Sequence, residues 1–180
     1  MKIIVPDPIA CDPRWAFSQV EEEFRELETI CAQGRSCLEI GSLLGGSAKR
    51  LAMAMPAGSK MVCIDQGFER TSNTLPMLLH SLQSIEGRDV TLILGDSTSD
   101  KVVAAASKLA PFDLVFIDGS HEYDAVLEDW NNYGPLGKII AFHDIVSCQG
   151  AKGAWAKIRE GRRYKEFMHG TTAGTGVLWR

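Results

Sequence analysis

The sequence lacks the features that would place it at once among secreted, membrane or zinc-knot proteins. None of its five cysteines forms a Cys-x-x-Cys pair, so we expect neither a structural zinc knot nor a disulfide framework. No run of about 18 apolar residues is present to span a bilayer, and the first apolar run is too short for a secretory signal. These absences predict a cytoplasmic protein with no membrane partner.

The chain also lacks an excess of positive charge. It carries 19 Lys and Arg residues against 23 Asp and Glu residues, a net charge of -4, so no overall basic field is available to hold a nucleic-acid backbone. Basic residues of segment 152–165 surround Trp155 and Tyr164, but this pattern is more typical of one solvated helix face. Nucleic acid is therefore disfavoured as a partner.

The length of 180 residues is that of one ordinary domain, and neither a linker nor a repeat divides it. Residues 1–35 are predicted to form a lead-in and a helix, and residues 36–180 to form the core. The helix is expected to begin at residues 12–13, an Asp-Pro start signal, and to end near residue 32. The three glutamates at 21–23 are interpreted as part of its solvated face.

From residue 36 onward, short apolar runs alternate with helical patterns. Continuous apolar runs are typical of strands that are buried on both faces. The runs lie at 37–40, 61–64, 90–94, 112–117 and 138–142, and the helical patterns between them at 47–55, 72–86, 99–109 and 122–132. A further helix precedes two strands joined by a Gly/Thr turn. The order predicts an α/β fold, a mostly parallel twisted sheet with helices on both faces and a C-terminal antiparallel hairpin.

A carboxylate stands at the end of each of the five predicted parallel strands. These acids are Glu39, Asp65, Asp96, Asp118 and Asp144. Ligands of an open α/β sheet bind beyond the carboxyl ends of its strands, which meet at one edge. Because clustered acids repel one another and are costly to desolvate, the row predicts a ligand that is cationic or rich in hydrogen-bond donors.

The loop after the first strand has the spacing Glu-x-Gly-x-x-x-Gly-x-Ser. A dinucleotide fingerprint would have its middle glycine at Leu43, where a side chain obstructs a pyrophosphate. The loop therefore favours a nucleoside ligand without phosphates, of which S-adenosylmethionine (SAM) is the common one; a merely structural tight turn is the alternative. The residues predicted to bind this cofactor are Glu39, Gly41, Ser42, Gly45, Gly46, Ser47, Asp65, Gln66, Asp96, Ser97 and Asp118.

Each part of the cofactor has a predicted partner in this set. Its carboxylate would lie on free backbone N–H groups of residues 45–47, at a helix amino terminus. Asp65 has the acceptors for both ribose hydroxyls, Asp96 can accept from the adenine amino group, and the N–H of Ser97 faces a ring nitrogen.

Five stretches of the sequence carry a family resemblance. They are LEIGSLLGGSAKRLA at 38–52, VCIDQ at 62–66, LILGDS at 92–97, FDLVFIDGSHEYDAVLEDW at 112–130 and GKIIAFHDI at 137–145. Together they resemble the class I SAM-dependent methyltransferases, and more narrowly the small-molecule O-methyltransferase branches with the motif I-D-G-x-H-x-Y. The resemblance covers residues 36–180 and implies one Rossmann-like methyltransferase domain for the whole chain.

The resemblance also implies a divalent metal ion, held by an acid after strand four and an acidic pair after strand five. Asp118 and Asp144 match this pattern, but His143 fills a slot that is often Glu, and Ile145 one that is often Asn. The prediction is a Mg²⁺ or Mn²⁺ site at Asp118, His143 and Asp144. Since adjacent strand residues point to opposite faces, the site requires the strand to end before this pair.

His121 and Asp118 are the predicted catalytic residues. An imidazole with an ordinary pKa of about 6.5 suits a base that removes the proton of a hydroxyl acceptor. A helix-capping role for His121 is weighed equally. The predicted function is SAM-dependent O-methylation of a small-molecule hydroxyl, assisted by a metal.

Two alternatives stay open at this point: a methyltransferase acting on nucleic acid or protein, and a non-catalytic SAM or nucleoside binder. The chain has no Asn/Asp-Pro-Pro-aromatic motif after strand four, which argues against methylation of base amino groups. Residues 1–15 and 145–152 are expected to cover the acceptor. So short a cover implies either an open pocket or a partner subunit in a homo-oligomer.

Overall fold

The computed structural model describes residues 19–67, 74–169 and 173–180. The helix start predicted at residues 12–13 and the first two residues of the helix predicted at 72–86 lie outside these ranges. The first described helix, α1, spans Glu21–Cys31 and ends one residue before the predicted end. Its apolar stripe, which includes Phe24 and Leu27, is buried in the core.

In the described part of the chain, seven strands form one sheet. Their bounds are β1 Ser36–Ile40, β2 Lys60–Asp65, β3 Asp89–Leu94, β4 Phe112–Ile117, β5 Gly137–Phe142, β6 Tyr164–Phe167 and β7 Thr175–Trp179. The strand order is β3-β2-β1-β4-β5-β7-β6; the pairs β5–β7 and β7–β6 are antiparallel, and the other described pairs are parallel. The predicted mostly parallel sheet with a C-terminal antiparallel hairpin is thereby confirmed.

Helices cover both faces of this sheet, as predicted. The helices after α1 are α2 Gly46–Ala54, α3 Thr74–Gln83, α4 Asp100–Ser107, α5 Tyr123–Tyr133 and α6 Gln149–Ile158. Alternate residues of β4 enter different apolar layers: Leu114 and Phe116 pack beneath α1, α2 and α3, and Val115 and Ile117 beneath α4, α5 and α6. No helix in the described ranges combines the length and the apolarity needed to cross a bilayer.

One glutamate of α1 corrects the sequence interpretation. Glu21 and Glu22 are exposed, but Glu23 is only 2% exposed, so the solvated-face interpretation of residues 21–23 is wrong for it. Its carboxylate accepts hydrogen bonds from the backbone N–H groups of His169 and Gly174, both at 2.9 Å. A buried carboxylate needs such partners, and here it joins the helix to the region between β6 and β7.

Candidate functional site

The carboxyl ends of the parallel strands open onto one cleft of about 860 Å³. Most of the residues predicted for the site line it. These are Gly41, Ser42, Ser47, Asp65, Gln66, Asp96, Ser97, Asp118, His121, His143 and Asp144. Glu39, Gly45 and Gly46, which were also predicted to bind the cofactor, are not among the described residues that line it.

The turn after β1 is built on left-handed backbone. Gly41 has a φ of 86°, and a Cβ atom there would lie 2.3 Å from the carbonyl oxygen of Asp118. Only glycine allows the backbones that follow β1 and β4 to approach so closely. Leu43 also has a positive φ, 47°, and Gly45 at 78° precedes the first residue of α2. The turn thus brings the amino terminus of α2, with Ser47, to the cleft.

Glu39 lies beneath this turn. Its side chain is fully buried, and its Oε2 accepts a hydrogen bond from the Ser42 hydroxyl at 2.6 Å. Oε1 has no hydrogen-bond partner among the described residues. Burial raises the pKa of Glu39 to about 8, against the opposing effect of the Ser42 hydroxyl. Glu39 therefore supports the glycine turn from below.

Asp65, at the end of β2, is held by two backbone N–H groups. Its Oδ2 accepts from Leu43 at 2.8 Å and its Oδ1 from Gly67 at 2.7 Å. A carboxylate oxygen has more than one lone pair, so both oxygens keep the capacity to accept a ligand hydroxyl. The contact with Leu43 ties the acid after β2 to the turn after β1.

The loop after β3 is fixed by its own hydrogen bonds and by α5. Asp96 Oδ1 accepts from the N–H and from the hydroxyl of Thr98, both at 2.9 Å, and these bonds lower the pKa of Asp96. The Tyr133 hydroxyl of α5 donates to the carbonyl oxygen of Ser97 at 2.5 Å. Two sides of this loop are thus held in place where it borders the cleft.

Asp118, His143 and Asp144 converge at the other end of the cleft. The Nδ1 atom of His143 lies 3.2 Å from an oxygen of Asp118 and 3.2 Å from an oxygen of Asp144. β5 ends at Phe142, and Asp144 adopts a left-handed φ of 58°. The alternation of the strand is therefore already broken, which is the condition that the sequence set for this pair to meet.

The imidazole of His143 is buried between these acids. Its side chain is 6% exposed. Neither ring nitrogen has an aligned hydrogen-bond partner among the described residues. Burial alone would lower the pKa of His143, but Asp118 and Asp144 outweigh it and raise this pKa to about 10. Burial likewise opposes the effect of His121 and His143 on Asp144, whose pKa is held well below its ordinary value.

His121 contacts Asp144 and is not the N-cap of α5. The N-cap is Glu122, and the Nε2 atom of His121 lies 3.0 Å from Asp144 Oδ2. This contact is the main cause that raises the pKa of His121. The ring of His121 is half-exposed in the cleft and is oriented by this carboxylate.

The residues after β4 and β5 fit a divalent cation. One ligand atom from each of Asp118, His143 and Asp144 lies within 4.8 Å of the other two. His143 offers a buried ring whose nitrogen atoms lack aligned partners, and the carboxylates that stabilise a proton on it would equally stabilise a metal ion.

Two residues that lie beside these acids were not predicted from the sequence. The side-chain amide of Gln19 donates to Asp118 Oδ2 at 2.7 Å. Cys148 contributes its sulfur to a second group with His121 and Asp144. Neither residue lies in a recognisable motif, so no sequence signal pointed to them.

A family model described as a methyltransferase domain matches residues 38–145, which contain the glycine turn and all five acids at the strand ends. The chain belongs to this methyltransferase family. The predicted resemblance is thereby confirmed at the level of the family. A search of curated proteins found no match to the sequence.

Solved structures show the same fold as this methyltransferase. An O-methyltransferase from Bacillus cereus in complex with SAH has a TM-score of 0.72 at 15% identity, over 91% of this chain and 83% of that one. The O-methyltransferase TomG from Streptomyces achromogenes, in complex with SAM, has a TM-score of 0.66 at 19% identity, over 97% and 82%. At such identities the likeness establishes the fold.

Proposed function

We propose that this methyltransferase moves the methyl group of SAM to a hydroxyl group of a small-molecule acceptor. The observation that carries the proposal is the pair His121–Asp144, 3.0 Å apart, in the same cleft as the glycine turn. A cleft of about 860 Å³ suits a cofactor with a small acceptor. The SAM- and SAH-bound O-methyltransferases that share the fold support the same reaction.

The glycine-turn end of the cleft takes the cofactor in this proposal. The amino terminus of α2 offers N–H groups to the SAM carboxylate, and Asp65 accepts from the ribose hydroxyls. Asp96 and Ser97, fixed by Thr98 and Tyr133, border the adenine. Glu39 acts from below, by holding Ser42 and the turn rather than by touching the cofactor.

At the other end of the cleft, His121 deprotonates the acceptor. A neutral hydroxyl is a poor nucleophile for in-line displacement at the sulfonium methyl group, so it has to lose its proton as the new bond forms. His121 takes that proton at its free ring nitrogen, and Asp144 orients the ring through the other nitrogen. A divalent ion held by Asp118, His143 and Asp144 would lower the pKa of a hydroxyl group bound to it.

We also propose a compartment, an acceptor size and an oligomeric state for this methyltransferase. Free cysteines 31, 37 and 63 are buried, which supports a reducing compartment such as the cytoplasm. That the acceptor is a small molecule is supported by the volume of the cleft, about 860 Å³, which also has to hold the cofactor. A homo-oligomer that completes this cover stays a prediction.

The test combines binding and turnover. Calorimetry with SAM and SAH measures cofactor binding. Release of SAH in the presence of a panel of hydroxylated acceptors, with and without chelator, measures turnover. His121→Gln is expected to lower turnover about 10²- to 10⁴-fold while SAH affinity is unchanged. His80→Gln, on the exposed face of α3, is the matched control.

Absence of any heat with SAM would contradict the cofactor assignment. Full turnover by His121→Gln would contradict the role of the base. Turnover that a chelator leaves unchanged would remove the metal from the proposal without touching the methyl transfer.

A further inference from the structure

A second group of ligand atoms lies beside the first and shares one residue with it. His121, Asp144 and Cys148 each offer one atom, and these atoms lie within 4.8 Å of one another. Nε2 of His121 is 3.0 Å from Asp144 Oδ2, and both His121 and Cys148 are partly open to solvent. A cation could therefore reach this group without passing the buried ring of His143.

Backbone contacts hold the three side chains together. Cys148 is the N-cap of α6, and its N–H donates to the carbonyl oxygen of Asp144 at 3.3 Å. A Cβ atom at Gly150 would lie 2.2 Å from the carbonyl oxygen of His121. The first turn of α6 thus packs directly on the backbone of the His121 loop. The thiol and the imidazole are brought to the same place by rigid elements, and not by long flexible side chains.

The chemistry of this second group differs from that of a magnesium site. Thiolate, imidazole and carboxylate are the three ligand types of zinc, which binds them at about 2.0–2.3 Å, whereas Mg²⁺ selects oxygen ligands. Catalytic zinc sites commonly use three protein ligands and leave a fourth position open. Bonds of about 2.0–2.3 Å place tetrahedral ligand atoms roughly 3.3–3.6 Å apart. The His121–Asp144 distance of 3.0 Å is already near that range, and the Cys148 sulfur lies within 4.8 Å of both atoms.

We propose that His121, Asp144 and Cys148 form a binding site for a borderline-soft divalent ion of the zinc class, and that its occupation inhibits methyl transfer. On binding, the thiol of Cys148 releases its proton to solvent, and one nitrogen of His121 becomes a ligand. The other ring nitrogen then carries the remaining proton, so His121 has no lone pair left to accept the proton of a hydroxyl. The inhibition rests on the proposed function, whereas the binding site does not.

Absorption spectroscopy with Co²⁺ as the zinc substitute tests the site independently of activity. The whole protein, freed of metal by chelation, is titrated with Co²⁺ and then competed with Zn²⁺. A thiolate-to-cobalt charge-transfer band is expected in the wild-type protein and in the control Cys31→Ala, which removes a buried thiol of α1. Cys148→Ser is expected to lose the band and to bind Zn²⁺ about tenfold more weakly or worse.

The activity arm uses the same variants. Zn²⁺ is expected to inhibit the wild-type enzyme, and Cys148→Ser is expected to keep wild-type basal turnover and to resist that inhibition. A cobalt spectrum without the thiolate band, equal Zn²⁺ affinity in wild type and Cys148→Ser, or no Zn²⁺ binding at all would overturn the site. Zn²⁺ binding through Cys148 that leaves turnover unchanged would overturn the inhibition. If no acceptor is ever methylated, the proposed function fails, and the cobalt spectrum still decides the site.

Discussion

Replacing Glu39 by Gln should change how the stability of the protein depends on pH. Glu39 is fully buried under the glycine turn, and burial raises its pKa from 4.5 to about 8. In the unfolded chain the same carboxyl group ionises near its ordinary pKa, so between these two values the folded state binds a proton that the unfolded state has lost. The neutral carboxyl group therefore contributes to the free energy of unfolding in full below pH 4.5, and this contribution is lost as the pH rises to about 8.

The size of this effect follows from the two pKa values. Each unit of difference is equivalent to about 1.4 kcal/mol, so the span from 4.5 to about 8 corresponds to at most roughly 5 kcal/mol. Glutamine keeps the shape of the side chain and an acceptor for the Ser42 hydroxyl, but it does not titrate. The free energy of unfolding of the wild type, minus that of Glu39→Gln, should fall by about 1.4 kcal/mol per pH unit in this window.

Urea unfolding of both proteins at each pH unit from 5 to about 9 measures this difference. All other titrating groups are common to the two proteins and cancel in the subtraction. Glu26→Gln, which removes an exposed carboxyl group of α1, is the control for the loss of one negative charge. A difference that stays constant across the window would refute the reasoning, because Glu39 would then be ionised in the folded protein throughout it.

Three further substitutions test residues that hold the backbone around the site in place. Gly41→Ala should lower the free energy of unfolding by more than about 2 kcal/mol in urea unfolding, because its Cβ would overlap a backbone atom 2.3 Å away. Gly58→Ala is the control: Gly58 has a φ of 78° but open space around it, so this substitution should cost about 1 kcal/mol. Glu23→Ala should cost about 2–3 kcal/mol in the same assay, since it leaves two backbone N–H groups without their charged acceptor; a cost below about 0.5 kcal/mol would contradict that role. Tyr133→Phe removes the donor to the Ser97 carbonyl and should weaken SAM binding about three- to tenfold by calorimetry; unchanged affinity would show that the loop holds its shape without it.

The sheet was predictable from the sequence because its strands are buried on both faces. Such strands need no polar residues in their interior, so the runs at 112–117 and 138–142 identify β4 and β5 to within one residue. The glycine spacing and the acids at the strand ends were equally visible. Since the ends of parallel strands meet at one edge, naming these residues was enough to place most of them in one cleft.

The contacts between loops were not predictable in the same way. Glu23 lies 146 residues from His169 and Gln19 lies 99 residues from Asp118, and no periodic pattern reports that such segments meet. The position of Cys148 beside His121 depends on how closely α6 packs on the loop before α5. Burial of Glu39 was hidden for a similar reason, because its place in a strand says nothing about the turn that covers it.

The acids at the carboxyl ends of the parallel strands can lie near one another because each has different partners. Glu39 is buried with a pKa of about 8 and carries no charge at neutral pH. Asp65 accepts from backbone N–H groups of Leu43 and Gly67, and Asp96 accepts from that of Thr98, so both side chains are fixed where they border the cleft. Asp118 and Asp144 face imidazole rings. The carboxyl groups at the glycine-turn end are therefore neutral or already bonded to backbone N–H groups, whereas those of Asp118 and Asp144 lie together after β4 and β5 with His143, within reach of one ion. A cation should bind there, while SAM should be recognised mainly through hydrogen bonds.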